Sequence, residues 1–87
     1  MTRESDPARH VQFLVDALAQ LPKDDQPQAH ARVLSNVAHA KLLYGDLEGT
    51  KADLDVCSGL LDSLDGVEQS VHAAYYSVAA DFYKVCF

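Results

Sequence analysis

Apolar side chains recur at intervals of three and four residues through four segments of this chain, and proline or glycine lies between the segments. Each residue turns an α-helix by about 100°, so this spacing puts the apolar side chains on one helical face. Pro22 and Pro27 bound the first interruption, Gly45 marks the second and Gly66 the third. The pattern predicts four α-helices, at about 7–21, 27–44, 46–64 and 68–86.

The residues at the predicted helix ends suit those positions. Asp6 and Pro7 are a favourable N-cap and first helical residue. Gly45 can take the left-handed conformation that commonly ends a helix, and Asp46 can cap the next helix at once. Because the connection is so short, the second and third helices are predicted to form an antiparallel hairpin.

The second helix has an apolar arc of about half its circumference. This arc contains Val33, Leu34, Val37, Ala38, Ala40, Leu42 and Tyr44. The opposite side contains Arg32, Ser35, Asn36 and His39. Lys41 is a charged residue inside the arc, and its long side chain is expected to reach outward to solvent.

The fourth helix has a wider apolar arc, of roughly 200° by the same count. One stripe contains Val71, Tyr75, Val78, Phe82 and Val85, and a second stripe beside it contains Tyr76, Ala79, Tyr83 and Cys86. An arc this wide is typical of a helix packed between two neighbours. The predicted interaction surface therefore runs along this helix and the end of the chain, through Tyr76, Tyr83 and Phe87.

The end of the sequence is apolar, whereas chain termini usually become polar as they leave a fold. Stacked helical hairpins bury their apolar faces against the next repeat and need polar caps at their ends. The expected fold is therefore all-α, with four antiparallel helices that form stacked hairpins of the tetratricopeptide-like type. The chain is expected to be a fragment of a longer array.

Charge and cysteine content exclude several functions. The formal net charge is −6 with seven Lys and Arg residues, so the chain has no basic face for nucleic acid or an anionic membrane. Two cysteines make no disulfide framework, and reduced thiols fit a cytosolic or nuclear compartment. No apolar run reaches the roughly 20 residues of a membrane span, and no signal peptide is evident.

The titratable residues suggest no catalytic or cofactor site. His39 lies on a polar helical face, as in a histidine phosphotransfer bundle, but Lys41 is about 200° away on the wheel. That reading is kept as a remote alternative. Glu68 and His72 have an i,i+4 spacing, yet two ligands are too few for a metal site. We therefore expect no enzyme activity, cofactor or metal.

Two turns and two aromatic pairs together resemble the 26S proteasome non-ATPase regulatory subunit 13 family. The segment 40–51 contains a Gly-Asp-Leu turn followed by Thr-Lys, and the segment 64–72 contains a Gly-Val turn followed by Ser-Val-His. The pairs Tyr75-Tyr76 and Phe82-Tyr83 follow. Their order and spacing agree with the family over residues 11–84.

The resemblance implies a non-catalytic subunit of the proteasome regulatory particle lid. Members of this family resemble one another in an N-terminal array of helical hairpins and a following PCI domain, which is expected to lie outside this chain. The implied role is a scaffold in ubiquitin-dependent proteolysis, in the cytoplasm and nucleus, with other lid subunits as partners. The alternative is a free-standing helical adaptor or a homo-oligomer that pairs through the fourth helix.

Overall fold

The structure, a computed structural model, describes residues 7–86 and the side chains of 9–86. These residues form the α-helices α1 (Pro7–Ala19), α2 (Pro27–Leu43), α3 (Leu47–Asp62) and α4 (Gln69–Cys86), without a β-strand in the described range. The predicted all-α class is confirmed, and the helix ends differ from the predicted ones by at most two residues. The predicted cap at Asp6 lies outside the described residues.

The first helix ends two residues earlier than predicted. Beyond Ala19 the amide of Leu21 donates to the carbonyl of Leu18 at 3.0 Å, which is a tighter bond than the α-helical one. Pro22 follows, and a residue before proline is sterically disfavoured in the α conformation. The helix therefore tightens and stops before the proline.

The turn between α2 and α3 is built as the sequence predicted. Gly45 has φ of 86°, and the amides of Gly45 and Asp46 donate to the carbonyls of Leu42 and Lys41 at 3.1 and 2.8 Å. This pair of bonds is a Schellman motif. The Asp46 carboxylate then accepts the amide of Gly49 at 2.9 Å and caps α3.

Helix α2 is the centre of the fold. It contacts α1, α3 and α4, while α3 also contacts α4. Within the described residues α1 contacts α2 and neither of the other helices. The molecule measures 45 × 33 × 20 Å, and its smallest dimension matches two layers of helices about 10 Å thick.

Two clusters of buried side chains join α2 to α3 and α4 in the described part of the chain. The first contains Ala31, Leu34, Cys57, Leu61 and Val71, and the second contains Ala38, Leu54, Val78, Ala79 and Phe82. Tyr75 packs against both clusters. Ala31 and Ala38 are fully buried, and their small side chains let the neighbouring helices approach α2 closely.

Three sequence-based assignments of faces are wrong. Ser35 was predicted on the polar side of α2 but is fully buried, because α2 is enclosed by three helices instead of one. Lys41 does not extend outward into bulk solvent; its side chain is 22% exposed, and its Nζ lies 2.8 Å from a carboxylate oxygen of Asp53 on α3. Val85 was placed in the same apolar stripe as Phe82 but is 61% exposed. Phe82 is the last buried position of α4, and the helix continues for one more turn past it.

Candidate interaction surface

A neutral strip of exposed residues runs along the outer side of α4. Its members are Ala73, Tyr76, Ala80 and Tyr83, and we call this strip the α4 seam. Tyr76 is 61% exposed and Tyr83 57% exposed. The intervals between the four residues are three, four and three, which keeps them within about 80° of one another on the helix.

Contacts within α4 orient the two exposed tyrosine rings. The Tyr76 ring stacks on His72 with centroids 5.8 Å apart and planes inclined by 11°, and meets Tyr75 edge to face at 5.2 Å. The Tyr83 ring meets Phe82 at 5.7 Å and 61°. Tyr75 and Phe82 pack in the core, so each exposed ring rests against a neighbour that cannot move freely.

The start of α4 is fixed to α2 by a single side chain. The amide of Glu68 donates to Oε1 of Gln28 at 2.8 Å, and Nε2 of Gln28 donates to the carbonyl of Gly66 at 3.4 Å. Gln28 therefore satisfies a donor and an acceptor of the loop that precedes α4. Together with the buried residues Val71 and Phe82, this clamp sets the direction in which the α4 seam faces.

The structure places the predicted interface residues as follows. Tyr76 and Tyr83 share the α4 seam, and Phe87 lies outside the described residues. Sequence reasoning grouped these tyrosines with Ala79, but Ala79 is only 7% exposed and belongs to the core. It missed Ala73 and Ala80, whose seven-residue separation matches that of the tyrosines and was the available signal.

Buried polar contacts join α2 to α3. The Ser35 hydroxyl donates to the carbonyl of Ala31 at 3.0 Å and lies 3.5 Å from Sγ of Cys57. The Thr50 hydroxyl lies 2.7 Å from the Asp46 carbonyl and 3.4 Å from the Ala38 carbonyl. Every one of these hydroxyls is satisfied, which is what burial of a polar group requires.

The Cys57 thiol has no feature of a reactive cysteine. It is fully buried, and burial raises the pKa of the Cys57 thiol above its ordinary value of 9.0, with the Ser35 hydroxyl opposing that rise. Its Sγ also lies 3.5 Å from the carbonyl of Ala31. A protonated, enclosed thiol packs as a small apolar group.

His39 is exposed and lines a groove of about 230 Å³ between α1 and α2 with His10, Leu14 and Leu43. Lys41, the residue that phosphotransfer chemistry would need beside it, is engaged with Asp53 on another side of α2. His10 is itself paired, with its Nδ1 2.8 Å from the Tyr44 hydroxyl. Nothing here is arranged to hold a phosphoryl group.

His72 is half-buried and stacked on Tyr76, as a packing histidine. Among the described residues no group of three or more His, Cys, Asp or Glu side chains is placed to hold a metal ion. None of the helices in the described range is long and apolar enough to cross a membrane.

The fold and the surface together define the class: an all-α helical-repeat segment with an exposed helical face. Comparison with protein families then identifies the family. The model of the PSD13 N-terminal repeats matches residues 1–86, and the chain belongs to this family.

A curated relative is similar over much of the chain. It is the probable 26S proteasome regulatory subunit rpn9 of Schizosaccharomyces pombe, which is 34% identical over 65 residues. The aligned part is 75% of this chain and 17% of the relative. The chain thus spans about a sixth of the length of the relative that it matches. No solved structure matches the chain.

Proposed function

We propose that this chain is a non-catalytic scaffold segment of the lid of the 26S proteasome regulatory particle. The match of the PSD13 N-terminal repeats over residues 1–86 carries the proposal. The similar yeast protein is named as a 26S proteasome regulatory subunit. By this proposal the chain acts in the cytoplasm and nucleus and supports ubiquitin-dependent protein degradation through its contacts with other lid subunits.

The proposed mechanism is mechanical. Helix α2 is held on three sides, and the Gln28 clamp fixes where α4 begins. Rigid positioning of this kind lets an exposed face keep one geometry, so a partner need not order it on binding. The α4 seam is the surface that we assign to the partner, because exposed aromatic side chains are enriched in protein interfaces.

The proposal needs no cofactor, metal or catalytic residue in this chain. His10 and His30 accept or donate a hydrogen bond and His39 is exposed, whereas His72 stacks on Tyr76 and its buried Nδ1 has no hydrogen-bond partner among the described residues. The buried Cys57 thiol is kept protonated by its surroundings. We also propose that residues 1–87 make a single helical-repeat unit and that the PCI domain expected of the family lies outside them.

Affinity capture of the tagged 87-residue chain from cell extract tests the proposal. We expect mass spectrometry to identify subunits of the proteasome regulatory particle lid among the captured proteins. Replacing Tyr76 and Tyr83 together by Ser should remove most of that recovery. Phe13→Ser is the matched control, because Phe13 is an aromatic residue that is 70% exposed on α1.

Two results would contradict the proposal. The first is capture by the wild-type chain without any lid subunit. The second is an equal loss of captured lid subunits in the Phe13→Ser control and the double tyrosine variant. That result would contradict the assignment of the α4 seam as the surface that binds the partner. Circular dichroism of each variant should show unchanged helix content, since all three positions are exposed.

A further inference from the structure

The α4 seam has the spacing of a coiled-coil contact. Ala73 and Ala80 are seven residues apart, as are Tyr76 and Tyr83, and the two pairs interleave at intervals of three and four. These are the a and d positions of a heptad repeat, whose side chains fit between those of another helix. The surface that fits such a seam is therefore an α-helix that runs nearly parallel or antiparallel to α4.

Small and large side chains alternate along the seam, and this alternation selects the direction of the second helix. In an antiparallel pair of two α4 helices, Ala73 faces the partner's Tyr83 and Tyr76 faces the partner's Ala80. Every layer then combines one small and one large side chain. In a parallel pair, alanine faces alanine and tyrosine faces tyrosine, which leaves voids in one layer and overpacks the next.

The charges beside the seam agree with the same direction. Ser77 is neutral, Lys84 is the charged residue of α4 that borders the seam near the end of the helix, and Lys51 of α3 lies within electrostatic range of Tyr83. In the antiparallel pair the two Lys84 side chains are separated by about 12 residues of helix, or roughly 18 Å. That distance exceeds the screening length of about 8 Å at physiological salt. A parallel pair would put the two ammonium groups side by side.

We propose that a second copy of this chain occupies the α4 seam in an antiparallel dimer, with a twofold axis that crosses the seam midway between Ala73 and Tyr83. The contact is one helix on one helix, which is smaller than the about 1,200 Å² of a stable standard interface, so the dimer is weak and depends on concentration. Each chain carries a formal charge of −6, so added salt should strengthen the dimer by screening the repulsion.

This proposal does not rest on the proteasome role. A lid subunit and a second copy compete for the same seam, and the two are tested separately. Capture of lid subunits can fail while the purified chain still dimerises, and the reverse outcome is equally distinct.

Analytical ultracentrifugation of the purified chain at increasing concentration tests the dimer. We expect a reversible monomer–dimer equilibrium that shifts to dimer with protein and with salt. Ala80→Glu replaces the small side chain that faces the partner's Tyr76 with a longer, charged one and should weaken dimerisation at least about tenfold, because overpacking and the loss of carboxylate hydration both oppose the contact. Ala52→Glu is the matched control, since Ala52 is an exposed alanine on α3 and should leave the equilibrium unchanged.

Cysteine cross-linking tests the direction of the pair. In a Cys86→Ser background, an equal mixture of the Ala73→Cys and Tyr83→Cys chains should form a disulfide-linked dimer with oxidised glutathione. Ala73→Cys alone should not, because its two copies are about ten residues, or roughly 15 Å, apart along the pair. A disulfide needs Cα atoms within about 7 Å.

Three outcomes would overturn the proposal. The chain sedimenting as a monomer up to about 1 mM would exclude a dimer of any useful strength. Equal weakening of dimerisation by Ala52→Glu and Ala80→Glu would show that the dimer contact lies outside the α4 seam. Efficient cross-linking of Ala73→Cys with itself would show that the two α4 helices run parallel.

Discussion

The contacts that α2 makes with α3 and with α1 differ in kind, although the sequences of all three helices have similar apolar spacing. Between α2 and α3, Ser35, Thr50 and Cys57 are fully buried, and Lys41 pairs with Asp53. Between α2 and α1, Val11, Leu14 and Leu18 are half-buried, and no side chain of α1 in the described range is fully buried.

This difference shows what apolar periodicity does and does not determine. Periodicity gives a helix one face that prefers to leave water, and α1 has such a face. The close contact of α3 with α2 also needs small side chains and satisfied polar groups at the point of approach. Ala31, Ala38 and Ser35 provide these on α2, so the stability of the fold is expected to lie mainly in α2, α3 and α4.

The largest expected difference in the free energy of unfolding is between substitutions of two phenylalanines. Phe82 is 7% exposed in the cluster that joins α2, α3 and α4, whereas Phe13 on α1 is 70% exposed. Phe82→Ala should lower the free energy of unfolding by about 3–4 kcal/mol, since it leaves a cavity in the core. Phe13→Ala should change it by less than about 0.5 kcal/mol. Urea denaturation followed by circular dichroism measures both.

Comparable losses of unfolding free energy from the two substitutions would contradict the inferred difference between the α2–α3 contact and the α2–α1 contact. They would mean that α1 contributes as much to cooperative unfolding as the other helices do. Amide hydrogen exchange gives an independent check, because α1 should exchange faster than the centres of α2 and α3 if it opens without them.

Two ion pairs test whether the contact between α2 and α3 shields its charges from water. Lys41 and Asp53 bridge α2 and α3 with side chains 22% and 17% exposed, while Lys51 and Asp55 lie on the surface of α3 with 66% and 67% exposed. Double-mutant cycles to alanine should give a coupling energy of about 1–2 kcal/mol for the shielded pair. The exposed pair should give a much smaller coupling energy, because water and salt screen an i,i+4 pair on a helix surface.

Salt separates the two pairs further. Raising the ionic strength should reduce the coupling of Lys51 with Asp55 more than that of Lys41 with Asp53, since screening acts mainly on exposed charges. Equal coupling energies in the two cycles, or equal salt dependence, would contradict the view that the α2–α3 contact shields its charges.

The sequence was sufficient for the four helices and their turns, because proline, glycine and apolar spacing act locally. The sequence did not predict the burial of Ser35, which the local pattern assigned to the solvent-exposed side of α2. Ser35 is buried because three helices pack around α2, and that packing is a property of the whole fold. The sequence also missed the Lys41–Asp53 pair, which joins residues of different helices. On the α4 surface, helical spacing identified the exposed tyrosines but did not separate them from Ala79 in the core.

Alkaline pH should weaken the α2–α3 contact through Cys57. Burial raises the pKa of the Cys57 thiol above 9.0 in the folded chain, so above pH 9.0 the unfolded chain releases this proton first. The contribution of Cys57 to stability is therefore complete well below pH 9.0 and is lost progressively as the pH rises through the raised pKa of the folded thiol. The measurement is the free energy of unfolding of wild type minus that of Cys57→Ala at each pH.

A difference between these two chains that stays constant from pH 7 to 10 would contradict the enclosed position of the thiol. Subtraction is needed because lysines and tyrosines also titrate in this range. Those groups are the same in both chains, so their effects cancel in the difference.

A small effect is expected at the hydrogen bond that joins α1 to the end of α2. Tyr44→Phe removes the hydroxyl that lies 2.8 Å from Nδ1 of His10 but keeps the ring, which meets the imidazole at 5.7 Å. The loss should be about 0.5 kcal/mol, since this bond is exposed and water replaces it. Amide exchange should then quicken by about twofold in α1, because 0.5 kcal/mol corresponds to that factor, and should stay unchanged in α3.

Tyr76→Phe removes the same group from α4, which α1 does not contact in the described part of the chain. Faster exchange of α1 in that control would show that α1 responds to the whole fold, and the contrast between the two contacts of α2 would then fail.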